Sequence, residues 1–169
     1  MEIKNIDSEF IMCDVPEHDK HKDILLNLID KMPNTPFGGV SRTDYHLPKD
    51  FEREYRRYFY FHIVPNIMQQ QTKYFKAKRW EISHAWFQQY KEGSSHSSHT
   101  HPDTNFTNVY FLELPDQQFK TSIKTREKEY DYKVKEGQII TFPAHLLHGS
   151  KTNGNRRKTI ISFNSNFIY

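Results

Sequence analysis

The sequence predicts an α+β fold in which helices pack on one outer face of an antiparallel sandwich or barrel. Two observations carry this. Before residue 79 apolar residues recur at helical spacing, first in Ile24, Leu25, Leu28, Ile29 and Met32, then in Phe51, Tyr55, Tyr58, Phe59, His62 and Ile63. After Arg79 the period changes to two, beginning with Trp80, Ile82, His84 and Trp86, and short apolar stretches then alternate with turn signals. Helices first and strands afterwards segregate the two kinds of element. Many short strands at this spacing favour a sandwich or barrel over a parallel sheet.

Residues 1–15 hold Ile3, Ile6, Phe10, Ile11, Met12 and Val15 and end at Pro16, which reads as one or two short strands. Residues 19–32 form the first helix, stopped by Pro33-Asn34-Thr35-Pro36. Residues 35–48 contain Gly38-Gly39 and no period, so they form a loop. Residues 50–74 are helical again, with a kink or break at Pro65. Strands are then expected at 80–91, 106–114, 118–124, 128–134, 137–142 and 158–168. The 169 residues suit one domain, 1–79 supplying N-terminal strands and supporting helices and 80–169 the core.

Composition narrows the chemistry. Hydrophobic residues are 36% of the chain and no apolar run approaches the length of a bilayer span. The first residues lack the basic and apolar regions of a secretory signal, so a cytosolic location is expected. Cys13 is the only cysteine, which excludes intramolecular disulfides and multi-cysteine zinc modules; any metal must be held by His, Asp or Glu. A net charge of +3, without long runs of one sign, does not imply strong nucleic-acid binding. Of ten histidines, His84, His96, His99, His101, His145 and His148 fall in one part of the chain.

The segment His96-Ser97-Ser98-His99-Thr100-His101-Pro102-Asp103 joins two predicted strands. In extended backbone residues i and i+2 share a face, so His99 and His101 can converge on one ion, and so can His101 and Asp103. A distant third ligand comes from Thr141-Phe142-Pro143-Ala144-His145-Leu146-Leu147-His148-Gly149. Two ligands from one strand end and one from another leave half the coordination sphere open, which suits non-haem Fe(II) and oxygen.

Five stretches occur in order along residues 80–166: Ala85-Trp86 through Tyr90 to Gly93, His99-Thr100-His101-Pro102, Val109-Tyr110-Phe111-Leu112, Phe142-Pro143 through His148, and Lys158-Thr159-Ile160-Ile161-Ser162-Phe163-Asn164. Together they resemble the 2-oxoglutarate/Fe(II)-dependent oxygenases, closest to the small, prolyl-hydroxylase-like members of phages and bacteria. The resemblance implies a double-stranded β-helix, a jelly-roll or cupin-like barrel of eight core strands. It also implies Fe(II), 2-oxoglutarate as cosubstrate, O2, and hydroxylation of a C–H bond with release of succinate and CO2. A phage-encoded member would work in the host cytoplasm.

Carried onto this chain, the resemblance makes His148 the distal ligand and His145 a turn or surface residue. The proximal ligands are His99 and His101 on the pattern of the nearest relatives, or His101 and Asp103 on that of the wider superfamily. His101 and His148 belong to both and are the catalytic candidates. The distal carboxylate of 2-oxoglutarate needs a cation, for which the pattern aligns Lys158, with Arg156 or Arg157 if the register slips; a lysine makes a point contact where arginine makes a fork. Tyr110 is a candidate for the same carboxylate, or a core residue. The loops 35–48 and 94–98 read as active-site lids. The prime substrate, whether peptide side chain, metabolite or nucleobase, is not encoded in any motif. Two other readings stay open: a non-catalytic barrel binding a sugar or acidic ligand, and a nucleic-acid module using Arg156-Arg157-Lys158.

Overall fold

A computed structural model describes residues 4–7 and 10–169. Its elements run β1 (Lys4–Asp7), β2 (Phe10–Asp14), α1 (His18–Asp30), β3 (Arg42–Thr43), α2 (Glu54–His62), α3 (Val64–Phe75), β4 (Arg79–Tyr90), β5 (His96–His99), β6 (Phe106–Glu113), β7 (Thr121–Lys124), β8 (Gln138–Pro143), β9 (Leu147–Ser150) and β10 (Lys158–Ile168). Among the described residues the strands form two antiparallel sheets. The larger has the order β1-β2-β8-β6-β10-β4-β3, and the smaller β5-β9-β7. The sheets are not closed on one another. No helix among the described residues is long and apolar enough to cross a membrane.

Period-two alternation on the large sheet sorts its side chains into two cores. Ile161 of β10 stands opposite Phe87 of β4 and Tyr110 of β6, and these point with Phe163 and Ile139 toward the helices. There they meet Leu25 and Ile29 of α1, Tyr55 and Phe59 of α2, and Ile67 and Met68 of α3. Their neighbours along the strands, Tyr90, Val109, Phe111, Ile140 and Ile160, point the other way and pack with Ile123 of the small sheet. Each such side chain removed from water contributes about 1.5–3 kcal/mol, and the two cores lock the helices and the small sheet to opposite faces.

The predicted helices are present, and Pro65 divides the second region as expected. It occupies the first turn of α3, where a missing N–H costs nothing, while α2 ends at His62. The structure differs from expectation in three places. Residues 128–134 are not a strand: beyond a single bridge between Lys124 and Glu129, the segment is held by Tyr130 N–H to the Ile123 carbonyl and by the Tyr132 hydroxyl to the Thr121 carbonyl. Two short strands, β5 and β9, were not foreseen, because His-Ser-Ser-His and Leu-His-Gly-Ser carry no apolar alternation. The expected loop 35–48 contains a two-residue strand, β3, which pairs with β4, while β2, within the strands expected at 1–15, pairs with β8. Within the predicted strand region 1–15, residues 1–3 and 8–9 lie outside the described residues.

The loop between α1 and α2 is tied down at its centre. Arg42 donates to the Ile29 carbonyl at 2.8 Å and to those of Met32 and Pro33, covering the C-terminal end of α1. Asp44 is fully buried and accepts from Arg53 Nε at 2.8 Å, the Tyr55 hydroxyl at 2.6 Å and the Phe87 N–H at 2.9 Å. This anchor fixes the loop against the outer edge of β4 and leaves Phe37 and Tyr45 half-exposed beside the cleft between the sheets.

Candidate metal centre

The small sheet builds the centre. β5 and β9 run antiparallel with His99 opposite His148. Two residues beyond His99, the His101 N–H donates to the Ala144 carbonyl at 3.0 Å, which holds the chain alongside the turn leading into β9. Each of His99, His101 and His148 offers a ring nitrogen, and these atoms all lie within 4.8 Å of one another.

Second contacts set the tautomers. His148 Nδ1 lies 3.0 Å from the Leu146 carbonyl and His99 Nδ1 lies 2.9 Å from the Ser97 carbonyl. A carbonyl only accepts, so both rings carry their proton on Nδ1 and present the Nε2 lone pair. His101 Nε2 is buried and has no hydrogen-bond partner among the described residues. Buried polar atoms are normally paired, and a cation facing that nitrogen satisfies it. Burial lowers the pKa of His101 to about 4 and that of His148 to about 3, with neighbouring imidazoles adding to the effect. Both stay neutral at physiological pH, as ligation requires.

Between the sheets a narrow cleft runs inward from these rings, past Trp86, Gln88 and Tyr90 of β4 and Ile160 and Ser162 of β10. Beside it lies Lys158, 0% exposed. Its Nζ donates to the Phe119 carbonyl at 2.9 Å and to the Ser150 hydroxyl, and sits 3.9 Å above the Tyr90 ring. Burial alone lowers its pKa to about 7, and no carboxylate pairs with it among the described residues. Isolated buried cations are costly; an anionic ligand in the cleft removes that cost.

The structure brings together His99, His101 and His148 and sets Lys158 behind Tyr90 and Ser150, which line the cleft with His99 and His148. Asp103 is exposed beyond Pro102 and stands apart from the three imidazoles. Arg156 is exposed and donates to the Pro115 carbonyl, while Arg157 forks onto Glu113 at 2.8 and 2.9 Å; both lie on the rim. Tyr110 is corrected to the opposite face. Val109 and Phe111 point into the inter-sheet core, so Tyr110 points to the helices, stacks on Phe59 and bonds His18 Nδ1 at 2.7 Å. His145 is exposed. The sequence reading missed Tyr90, Ser150, Gln88 and His96. Tyr90 and Gln88 share the face of Trp86 by period two on β4, and Ser150 shares that of His148 on β9.

An outer chamber of about 100 Å³ opens beside His99 and His101, walled by Phe37, Tyr45, Trp86 and His96. Its rings form a connected set: Tyr45 is edge-on to Trp86 at 5.2 Å, and Trp86 lies 5.6 Å from His101. The two predicted lid loops meet here, Ser95 N–H donating to the Gly39 carbonyl and the Ser41 and Ser94 hydroxyls touching.

No protein-family model matches the chain. No curated protein matches it in sequence. Solved structures do match in fold. A viral collagen prolyl hydroxylase of Paramecium bursaria Chlorella virus-1, in complex with 2-oxoglutarate, aligns over 94% of this chain and 96% of its own with 16% identity and a TM-score of 0.65. A 2OG-Fe(II) oxygenase family oxidoreductase from Burkholderia pseudomallei aligns over 94% and 86%, with 11% identity and a TM-score of 0.73. A Pseudomonas putida prolyl-4-hydroxylase aligns over 96% and 94%, with 12% identity and a TM-score of 0.63. The chain has the fold of these oxygenases.

Proposed function

We propose that the protein is an Fe(II)- and 2-oxoglutarate-dependent dioxygenase that hydroxylates a C–H bond of a further substrate, converting 2-oxoglutarate and O2 to succinate and CO2. One observation carries the reading: a buried lysine with no carboxylate partner among the described residues lies behind Tyr90 and Ser150 of a cleft that His99 and His148 also line, and the ring nitrogens of these two converge with that of His101. Such a cleft complements a short dianion with one end on a metal and the other on a cation. In this reading the two sheets are the walls of a double-stranded β-helix, and the protein works in the cytoplasm, that of the host if it is phage-encoded. The prolyl hydroxylases among the matched structures favour hydroxylation and admit a peptide side chain as substrate.

His99, His101 and His148 would hold the metal, with His99 in place of the carboxylate that Asp103 would have supplied. Imidazole nitrogen suits Fe(II) among other divalent metals, and the orphaned His101 Nε2 fits a cation. When bound, Fe(II) supplies the redox chemistry that couples oxidative decarboxylation of 2-oxoglutarate to hydroxylation. Backbone carbonyls of Leu146 and Ser97 fix the ring orientation of His148 and His99. Lys158, steadied by Ser150, receives the distal carboxylate of 2-oxoglutarate, and Tyr90 closes the pocket behind it. Burial keeps His101 and His148 neutral, so the dianion would bring its charge to a cleft that no carboxylate lines among the described residues. The paired loops at Gly39 and Ser95 shield the chamber from water.

Anaerobic titration with Fe(II) and 2-oxoglutarate tests the reading through the weak visible charge-transfer band of the chelate. The band is expected in the wild type and absent in His101→Ala and His148→Ala. A folded, metal-loaded wild type without the band overturns the oxygenase reading in favour of a non-catalytic binding protein.

A further inference from the structure

We propose that the outer chamber is the prime-substrate subsite and that His96 is its specificity donor, selecting an uncharged, ring-sized group that carries one hydrogen-bond acceptor. The proposal rests on the oxygenase reading for what happens in the chamber, but its geometry stands apart from the metal.

The chamber's walls are aromatic or aliphatic at Phe37, Val40, Tyr45 and Trp86, and no lining residue is an Asp, Glu, Lys or Arg. A charged group entering it would lose its hydration without a partner. At about 100 Å³ the space takes one small ring. Polar direction comes from His96. The Ser162 hydroxyl donates to Gln88 Oε1 at 3.4 Å, which turns Gln88 Nε2 toward His96 Nδ1 at 3.1 Å. An amide N–H can only donate, so Nδ1 accepts and the ring proton sits on Nε2. The Cδ2–Nε2 edge faces the Gly38 turn at the chamber wall, where a Cβ would lie 3.8 Å from both atoms. Nε2 has no hydrogen-bond partner among the described residues. Thr43 and Gln88 of the lining already bond within the protein, Thr43 to the Phe87 carbonyl and Gln88 to His96, so the unpaired His96 N–H is the donor left to fix which face and which atom of a ring is presented.

The test uses the full chain without added metal and two probes of one shape, cyclopentanone and cyclopentane, read by long-range 1H–15N spectra of the histidine rings. His96 is expected as the Nε2–H tautomer, its Nε2 resonance moving with cyclopentanone. The ketone is expected to bind about tenfold more tightly than the hydrocarbon, the worth of one neutral hydrogen bond. His96→Phe should abolish that preference, and Gln88→Leu, which keeps the ring but frees its tautomer, should reduce it. Equal affinities in the wild type, an unmoved His96 resonance, or the Nδ1–H tautomer each overturn the proposal, and these measurements decide even where a variant does not fold. Fe(II) and 2-oxoglutarate binding, followed separately, distinguishes the two readings. A protein that binds both but shows no ketone preference loses only the subsite, whereas ketone preference without metal or cosubstrate binding removes the oxygenase reading and leaves the subsite.

Discussion

Lys158 shows how a single side chain can be costly to the fold and useful to the site. Its ammonium is buried against the Tyr90 ring and two oxygens, with no carboxylate in reach among the described residues. Replacing a buried charge with an apolar side chain of similar shape is often neutral or stabilising, so Lys158→Met should keep or raise the melting temperature. The same change should cost about 2–5 kcal/mol of 2-oxoglutarate affinity, as removal of one partner of a buried charge pair does; calorimetry measures both. The pH sign follows from the lowered pKa. The folded chain releases this proton at about 7 and the unfolded chain at 10.5, so the lysine's contribution to stability rises with pH across that window. Cosubstrate binding requires the charged form, and at pH 8 it should therefore take up a proton, seen as a buffer-dependent binding enthalpy. Sequence pattern named His101 and His148, which the fold brings together with His99, and Lys158, which it buries between Phe119, Ser150 and Tyr90. It could not separate His99 from Asp103, because both lie two residues from His101 and only the turn at Pro102 decides which faces inward. Of the two readings it left for Tyr110 the structure takes the core one, which the sequence could not decide because the face of β6 depends on register, and residue identity alone does not carry that.

Among the elements, the β5–β9 pair has the least margin. Gly149 lies between His148 and Ser150, and a Cβ there would sit 2.7 Å from the His96 carbonyl oxygen and 3.1 Å from the Ser98 N. Backbone would have to move, so Gly149→Ala should separate the strands and lower metal affinity about 10- to 100-fold, the range for lost ligand support; equilibrium metal titration measures it. The 35–48 loop depends on another kind of contact. Asp44 is wholly buried and paired with Arg53, and Asp44→Ala leaves that guanidinium unpaired, at an expected cost of about 3–5 kcal/mol in chemical denaturation. The long apolar elements, α1, α3, β4, β6 and β10, were legible because their periodicity records which face is buried. β5 and β9 were not, since their side chains serve a ligand instead of a core. The strand expected at 128–134 alternates tyrosine and valine with charge, yet its backbone pairs almost entirely through side chains and turns.

Across the whole molecule, buried neutral imidazoles make the metal-free protein sensitive to acid. His96 and His101 are lowered from 6.5 to about 4 and His148 to about 3, so the unfolded chain binds protons that the folded one refuses. Stability of the metal-free protein should be complete above about 6.5 and fall progressively toward pH 3, and bound metal should delay that fall; thermal unfolding across the pH range with and without metal reads it. The fold class was legible because helices and most strands occupy separate parts of the chain, and the division of strands into two sheets was not, because the small sheet is built from β5, β7 and β9, short strands of which two carry no apolar alternation. That division has a consequence of its own. The candidate ligands His99 and His148 ride on the small sheet, Lys158 stands at the start of β10 in the large one, and among the described residues no backbone ladder joins the two. In the proposed reading, a 2-oxoglutarate held at both ends would be a strut between two leaves that otherwise touch only through side chains, so the protein would be stiffest when loaded and most able to breathe when succinate must leave.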